Sequence, residues 1–357
     1  MKVTFVTPTL NYTGGSRVIA IYADRLSRFG HHVTVVSPGK PIPGFKKRIK
    51  YFLKGKKWDR EKYFSTVYFE SLNIDLIILD SCRPVDERDL PDADIVIATW
   101  WETSYWVNKL SVKKGKKVYF MQDYGYVPGQ PIDKIQETWL LPFHIITISE
   151  WLVDLVKTYR GADDGITLVS NGVELSSFTS PQRNKNVIPT IGFLYTDAPQ
   201  KGVEAMVEAF LTAKKSIADL RLIMFGSKDI PDELRNMANV EYYQKLADTE
   251  LPKVYASCDA WLFGSSREGF GLPILEAMAC RTPVIATTAG AAPQLVNPST
   301  GALLNSNGVT EMANAILTIV NMDNESWKEL SEGAYKMAQK HTWDLAAKTF
   351  EKTLQEL

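Results

Sequence analysis

The stretch Ser265-Ser266-Arg267-Glu268-Gly269-Phe270-Gly271-Leu272-Pro273-Ile274-Leu275-Glu276-Ala277-Met278-Ala279 reads as a loop that receives an anion. The apolar run Ala260 to Phe263 ahead of it predicts a buried strand, Gly269 and Gly271 loosen the backbone, and Pro273 opens a helix of good helix formers. The first amides of a helix have no partner inside it, and the summed peptide dipole makes that end electropositive. A strand, a glycine turn and a helix start in this order therefore form a seat for a diphosphate. Pro273 has no N–H, which leaves the amides of Gly271 and Leu272 as donors, with Ile274 as a further one.

Glu268 and Glu276 flank the seat. Helical side chains lean back toward the N-terminus, so Glu276, about one turn in, is placed to reach hydroxyls of a ligand whose phosphates sit on the amides. Two carboxylates beside an anion site suit a nucleotide sugar; equally, Glu276 can be a first-turn partner of the dipole and Glu268 a solvated loop charge. The two are spaced as E-x7-E, and the stretch resembles the signature of retaining glycosyltransferases of the GT-B fold, family 4, a resemblance that extends over most of the chain. It implies an α/β protein whose two Rossmann-like domains face a central cleft. It also places Gly269, Phe270, Gly271, Leu272 and Glu276 around the nucleotide-sugar donor, with Glu276 on the ribose and Glu268 on the sugar hydroxyls.

At 357 residues, 45% hydrophobic and 23% charged, the chain is expected to form two globular domains without extended disorder. Its formal charge is zero, although residues 1–180 carry 24 Lys and Arg against 20 Asp and Glu, so that half is mildly basic. Overall neutrality argues against nucleic acid as partner. Cys82, Cys258 and Cys280 are odd in number and scattered, which fits neither a disulfide framework nor a zinc site and suits a reducing cytosol. The N-terminus lacks a signal-peptide layout, and no run approaches the ~20 apolar residues that span a bilayer. The expected location is cytoplasmic, with any membrane contact peripheral.

Lys2 to Thr7, a polar turn with Gly14 and Gly15, and the helical pattern Val18 to Phe29 make a β–loop–α start; Val33 to Ser37 then predicts the next parallel strand. Gly14-Gly15 lacks the dinucleotide fingerprint and the Walker lysine. As a tight turn it needs no ligand; in the family it resembles, the equivalent loop faces the donor sugar and phosphates. Further strands are predicted over Leu76 to Leu79, Ile95 to Thr99, Val118 to Met121 and His144 to Ile148. Gln122-Asp123-Tyr124-Gly125-Tyr126 follows one of them at its carboxyl end, where open α/β sheets bind ligands, which makes Asp123 a site candidate and Gln122 and Tyr124 candidates for acceptor contact. Many family members carry a histidine near Asp123 and this chain does not; its Gln-Asp-Tyr version resembles bacterial rhamnosyltransferases of surface polysaccharides. Trp100 and Trp101, with Tyr105 and Trp106, can stack on an acceptor sugar or fill a core. Phe45 to Lys62 interleaves lysines and arginines with Phe45, Tyr51, Phe52 and Trp58, and reads as a solvated surface or as a contact with anionic lipid.

The polar segment Ser180 to Pro189, after Asn171-Gly172-Val173, is the expected linker. That sets the boundary at 180/181, and the resemblance implies an acceptor-binding domain over 1–180, a donor-binding domain over 181–342 and a helix, 343–357, that crosses back to the first. The second domain opens on the strand Thr190 to Tyr195, then Lys201 and a helix from Val203 to Lys214. Relatives carry Gly-Arg after this strand and a lysine before the helix, both on the donor diphosphate. This chain keeps Lys201 but has Gly192-Phe193, with Tyr195 as a neighbouring donor contact. Gly226 ends the strand from Leu220, and Leu246, after the strand Val240 to Tyr243, is the residue the resemblance assigns to the nucleobase, ahead of Asp248 as a helix cap.

The expected activity is retaining transfer of a hexosyl or deoxyhexosyl group from a nucleotide sugar (dTDP-, UDP- or GDP-linked) to a glycan or lipid-linked acceptor in cell-surface polysaccharide synthesis. Glu268, Asp123 and Lys201 are at its centre, with no metal and no further cofactor. The alternatives are a nucleotide-sugar-binding protein that has lost transfer, for want of the family's Arg and His, or a GT-B nucleotide-sugar epimerase.

Overall fold

A computed structural model describes residues 1–40, 64–125, 129–162, 164–306 and 308–357. The basic segment 45–62 and Tyr126 lie outside the described residues. The chain forms two compact units, one of residues 1–148, 152–169 and 347–357, the other of residues 149–151 and 170–346. The division falls at 169/170 rather than at 180/181, so Asn171-Gly172-Val173 belongs to the second unit. There a side chain on Gly172 would stand 2.2 Å from the Thr342 carbonyl carbon.

Unit 1 holds a seven-stranded sheet in the order β3-β2-β1-β4-β5-β6-β7, every pair parallel. In chain order its strands are β1 Lys2–Val6, β2 His32–Ser37, β3 Asp75–Ile78, β4 Ile95–Ala98, β5 Lys116–Met121, β6 His144–Thr147 and β7 Ile166–Leu168. Unit 2 repeats the plan with six parallel strands ordered β10-β9-β8-β11-β12-β13. These are β8 Thr190–Tyr195, β9 Arg221–Gly226, β10 Val240–Gln244, β11 Ala260–Phe263, β12 Val284–Thr287 and β13 Gly301–Leu304, the last not predicted. Central strands such as Ile95-Val96-Ile97-Ala98 and Ala260-Trp261-Leu262-Phe263 are buried at every residue. Sheets covered on both faces take such unbroken apolar runs instead of alternating ones.

The longer helices are α1 Gly14–Arg28, α2 Trp101–Asn108, α3 Glu150–Arg160, α4 Val203–Lys214, α5 Leu272–Ala279, α6 Val309–Val320, α7 Asn324–Lys340 and α8 Trp343–Glu356. α8 contributes Phe350 to the core of unit 1, against Tyr22, Phe120 and Phe5 with ring centroids 4.6, 5.2 and 6.4 Å away. Unit 2 is built around Phe193, Phe210, Leu222, Met224, Leu262, Ile285 and Trp327, all buried. In each sheet the strand order reverses beside the first strand, between β1 and β4 and between β8 and β11. The carboxyl ends of those pairs are where open α/β sheets present a crevice to ligands. No helix among the described residues is long and apolar enough to cross a membrane.

Candidate functional site

In unit 2 the predicted residues meet where β8 and β11 part. The loop after β8 turns through Pro199–Lys201 and enters α4 at Gly202; the loop after β11 runs from Gly264 to Gly271 and enters α5. The two loops are joined: Ser266 donates its amide to the Gln200 carbonyl at 2.8 Å, and Lys201 Nζ forms an ion pair with Glu268 Oε1. Ser265 Oγ donates to the same Glu268 oxygen at 2.8 Å. Gly202 makes this approach possible, since its φ is +66° and a side chain there would stand 2.0 Å from the Gly264 carbonyl oxygen.

Gly271, at φ +100°, caps α5, so the helix starts at Leu272, one residue before the predicted proline. The Ile274 amide donates to the Gly271 carbonyl at 3.0 Å. That corrects the expectation of Ile274 as a ligand donor and narrows the seat to Gly271 and Leu272, whose amides meet no backbone carbonyl among the described residues. The loop carbonyls are tied back. Gly269 O accepts from Ser149 Oγ at 2.7 Å and from Trp151 Nε1 at 3.2 Å, and Phe270 O accepts from the Ala291 amide at 2.8 Å. Glu150 N, beside them, donates to Gln294 Oε1 at 3.1 Å. Gly290, at φ +61°, presses on the loop so closely that a side chain would come 2.4 Å from Phe270 O.

Glu276 is 8% exposed, and its Oε2 accepts from the buried Tyr255 hydroxyl at 2.8 Å. Its carboxylate is thus oriented by a side chain from the neighbouring 251–256 helix. Burial first, and then the Glu276 charge, pushes the Cys280 thiol up, so that cysteine is an inert core residue. Ser265, Tyr255, Ser149, Trp151 and Gly290 were missed as supports; only Ser265 lay inside the motif, and the others come from distant sequence.

Tyr195 is half-buried against Tyr242, ring centroids 5.9 Å apart, and a side chain on Gly226 would strike Tyr195 O at 2.2 Å. Lys245, at φ +56°, donates its amide to Gly226 O at 2.8 Å, which sets half-buried Leu246 at the carboxyl end of β10. Asp248 is not a cap: it is the first residue of a short 3-10 turn, and Ala247 supplies the extended backbone before it. Phe193 is fully buried in the core, on a strand whose carboxyl end begins only at half-buried Leu194 and Tyr195.

In unit 1, Gly14 and Gly15 form the first turn of α1 behind Thr13, instead of the loop expected. The absence of side chains leaves the helix start open: nothing lies within 4 Å of a side-chain position on Gly14, and Gly15 faces Gln122. Gln122 Nε2 donates to Gly15 O at 3.4 Å, so the carboxyl ends of β1 and β5 do come together. Asp123 Oδ1 accepts from the Tyr124 amide at 2.7 Å, and the Tyr124 hydroxyl accepts from Gln136 Nε2 at 3.4 Å. Trp101 is buried and donates to Gln130 Oε1 at 3.1 Å, which makes it a core residue and leaves half-buried Trp100 as the more accessible ring. The chain contains one Asp-x-Asp, Asp92-Ala93-Asp94, ahead of β4. Asp92 pairs with Lys114 at 2.9 Å and Asp94 accepts from the Lys2 amide at 2.7 Å, at the amino end of the strands.

Residues 178–337 match the family model described as glycosyl transferases group 1. A GDP-mannose-dependent monoacylated alpha-(1-6)-phosphatidylinositol monomannoside mannosyltransferase of Corynebacterium glutamicum is 25% identical over 197 residues, 49% of this chain and 52% of its own length. The O-antigen chain mannosyltransferase B of Escherichia coli is 26% identical over 162 residues, 43% of this chain and 42% of its own. The chain spans about half the length of the curated relatives it matches. Among solved structures, Anabaena Alr3699/HepE in complex with UDP and glucose is similar over 100% of both chains, with a TM-score of 0.73 at 17% identity, a likeness of fold.

Proposed function

We propose, from the premise that residues 178–337 form a domain of the glycosyl transferases group 1 family within a GT-B chain of two Rossmann-like units, that this protein is a retaining glycosyltransferase. It moves a hexosyl or deoxyhexosyl group from a nucleoside-diphosphate donor to a glycan or lipid-linked acceptor in cell-surface polysaccharide synthesis, on the cytoplasmic side. The observation that carries the reading is the Lys201–Glu268 pair beside the start of α5. A cation, two helix-start amides and a carboxylate in one crevice correspond, group for group, to the two ends of a sugar diphosphate. The names of the relatives, mannosyltransferases of lipid-linked and O-antigen acceptors, support the acceptor class.

On this reading the departing diphosphate gathers charge against fixed donors, the Gly271 and Leu272 amides and Lys201, and needs no metal to do so. When phosphate engages Lys201, Glu268 is released to accept from sugar hydroxyls. Glu276, oriented by Tyr255, takes the ribose, and Leu246, Gly226 and Tyr195 border the base. Attack on the face the diphosphate leaves lets the leaving phosphate take the acceptor's proton, so no enzymic base is required. In unit 1, Asp123, Gly14 and Gly15 are assigned to the donor sugar, and Gln122, Tyr124 and Trp100 to the acceptor.

A second reading, binding without transfer, is favoured by one observation: Phe193, where relatives place a cation, is sealed in the core. A thermal-shift screen against UDP-, GDP- and dTDP-sugars, with product detection on every hit, separates the two. A donor at 100 times its dissociation constant adds about 2.7 kcal/mol of stability. Stabilisation with transfer supports the enzyme, stabilisation without transfer or donor hydrolysis supports the binder, and a flat response to all donors removes both.

A further inference from the structure

At the far end of α5 from the diphosphate seat, unit 2 holds a polar cavity of about 300 Å³ lined by Gln182, Arg183, Asn184, Arg281, Lys328, Ser331 and Glu332. Nothing in the reading above uses it. Three cations line it against one carboxylate, and two of them are held rigid by aromatic faces. The Arg183 guanidinium lies over Trp327 at 4.5 Å from the ring centroid, and that of Arg281 over Tyr335 at 4.0 Å. Stacking of this kind fixes a guanidinium's plane, which lowers the entropy lost when it binds an oxyanion; Arg183 also donates to the Asn184 and Cys258 carbonyls, and Arg281 Nε to the Ser180 carbonyl at 3.0 Å.

Each of these cations has a carboxylate partner, and two of the three partners, Asp259 and Glu325, stand outside the lining. Asp259, 3.5 Å from Arg183, is fully buried outside the lining and is satisfied by the Asn186 and Thr190 amides at 2.9 and 2.8 Å. Glu325, the partner of Lys328 at 2.9 Å, is mostly exposed, so solvent screens that pair. Glu332 accepts from Gln182 Nε2 at 3.1 Å and pairs with Arg281, which makes it the internal stand-in for an anion. Arg183 Nε is buried and donates to no acceptor among the described residues. A buried N–H left unmatched is costly, and it is the kind of donor a ligand oxygen would satisfy.

We propose that this cavity is a second anion site, separate from the donor seat, which takes the phosphate group of a small phosphomonoester. The volume is in the range of small-molecule pockets, so it has room for more than the phosphate itself. Arg281 and Lys328 would bind the phosphate oxygens, with Ser331 holding Arg281 by donating Oγ to its carbonyl at 2.7 Å.

The test is calorimetric titration of inorganic phosphate into the full chain carrying Lys201→Ala, which disables the donor seat, with thermal shift alongside. The expectation is saturable binding that Lys328→Glu, at a partly exposed position, weakens about fivefold or more. Glu332→Gln, which removes the internal competitor, should tighten it about threefold. No saturable phosphate binding in the Lys201→Ala chain overturns the proposal. So does binding that neither Lys328→Glu nor Glu332→Gln changes, which would put the ion elsewhere. Failure of these arms leaves the donor-sugar screen untouched, because that screen reads the other end of α5.

Discussion

Lys201 and Glu268, whose side chains are 31% and 14% exposed, form an ion pair that bridges the loops following two adjacent parallel strands, β8 and β11. The pair therefore spans the point in the second sheet where strand order reverses. Each partner is held by a different device: Lys201 by the turn that Gly202 closes against Gly264, Glu268 by Ser265.

Removing the carboxylate is the direct test of its role. Glu268→Ala should lower kcat/KM for the cognate donor tenfold or more, a loss of about 1.4 kcal/mol of transition-state binding. The pair is largely buried, and removing the carboxylate also leaves Lys201 Nζ and Ser265 Oγ without their acceptor, so stability should fall by about 1–3 kcal/mol beside the kinetic loss. Steady-state kinetics with unchanged turnover would remove Glu268 from the mechanism.

Gly202 has no room for a side chain. Gly202→Ala drives a methyl group against the Gly264 carbonyl and imposes a left-handed residue on the alanine. It should cost about 1–3 kcal/mol in urea denaturation and separate the two loops, with donor affinity falling together with stability. Wild-type donor affinity in a stably folded variant would show that the loops need not touch.

Tyr255→Phe keeps the aromatic packing against Trp261, ring centroids 4.4 Å apart, but takes one donor from the buried Glu276 carboxylate. The expected loss is about 1–3 kcal/mol of stability, as for a hydrogen bond to a charged group. KM for the donor should rise more than kcat falls, because Glu276 is assigned to the ribose and not to the reacting centre. Kinetics showing kcat alone reduced would contradict that assignment.

Stability should also fall in mild acid. Burial, and then the Arg160 charge, holds His144 below the ordinary histidine range, and burial, then Lys340, does the same for His341. The folded chain thus binds fewer protons at these sites than the unfolded one. The stabilisation is complete above about pH 6.5 and is lost as pH falls through the lower folded values. Each histidine can contribute at most about 1.4 kcal/mol per pH unit. His144→Gln should flatten the stability profile between pH 7 and 5, above the carboxylate range, and a slope unchanged by it would assign the proton uptake elsewhere.

Local pattern was enough for much of this protein. The apolar runs Thr190–Tyr195 and Ala260–Phe263 and the helix Val203–Lys214 have the expected bounds, because period and composition are properties of neighbouring residues. The glycine-flanked acid at Glu268 and the retained Lys201 were legible for the same reason. Gly14-Gly15 was misread as a loop because glycine's low intrinsic helix propensity is overridden where the Thr13 backbone and the rest of α1 continue the helix. Trp101 could equally stack on a ligand or fill a core by type, and only packing around α2 decides that it is buried.

By itself, then, the sequence determined two parallel α/β units and the chemical inventory of a candidate donor seat. The tertiary structure alone decided which of those groups touch: that Lys201 pairs with Glu268 across 67 residues of chain, that Tyr255 orients Glu276, and that Phe193 is sealed in the core. Such contacts depend on strand order and on glycines that let backbones meet, and neither is encoded in the spacing of residues along a single segment.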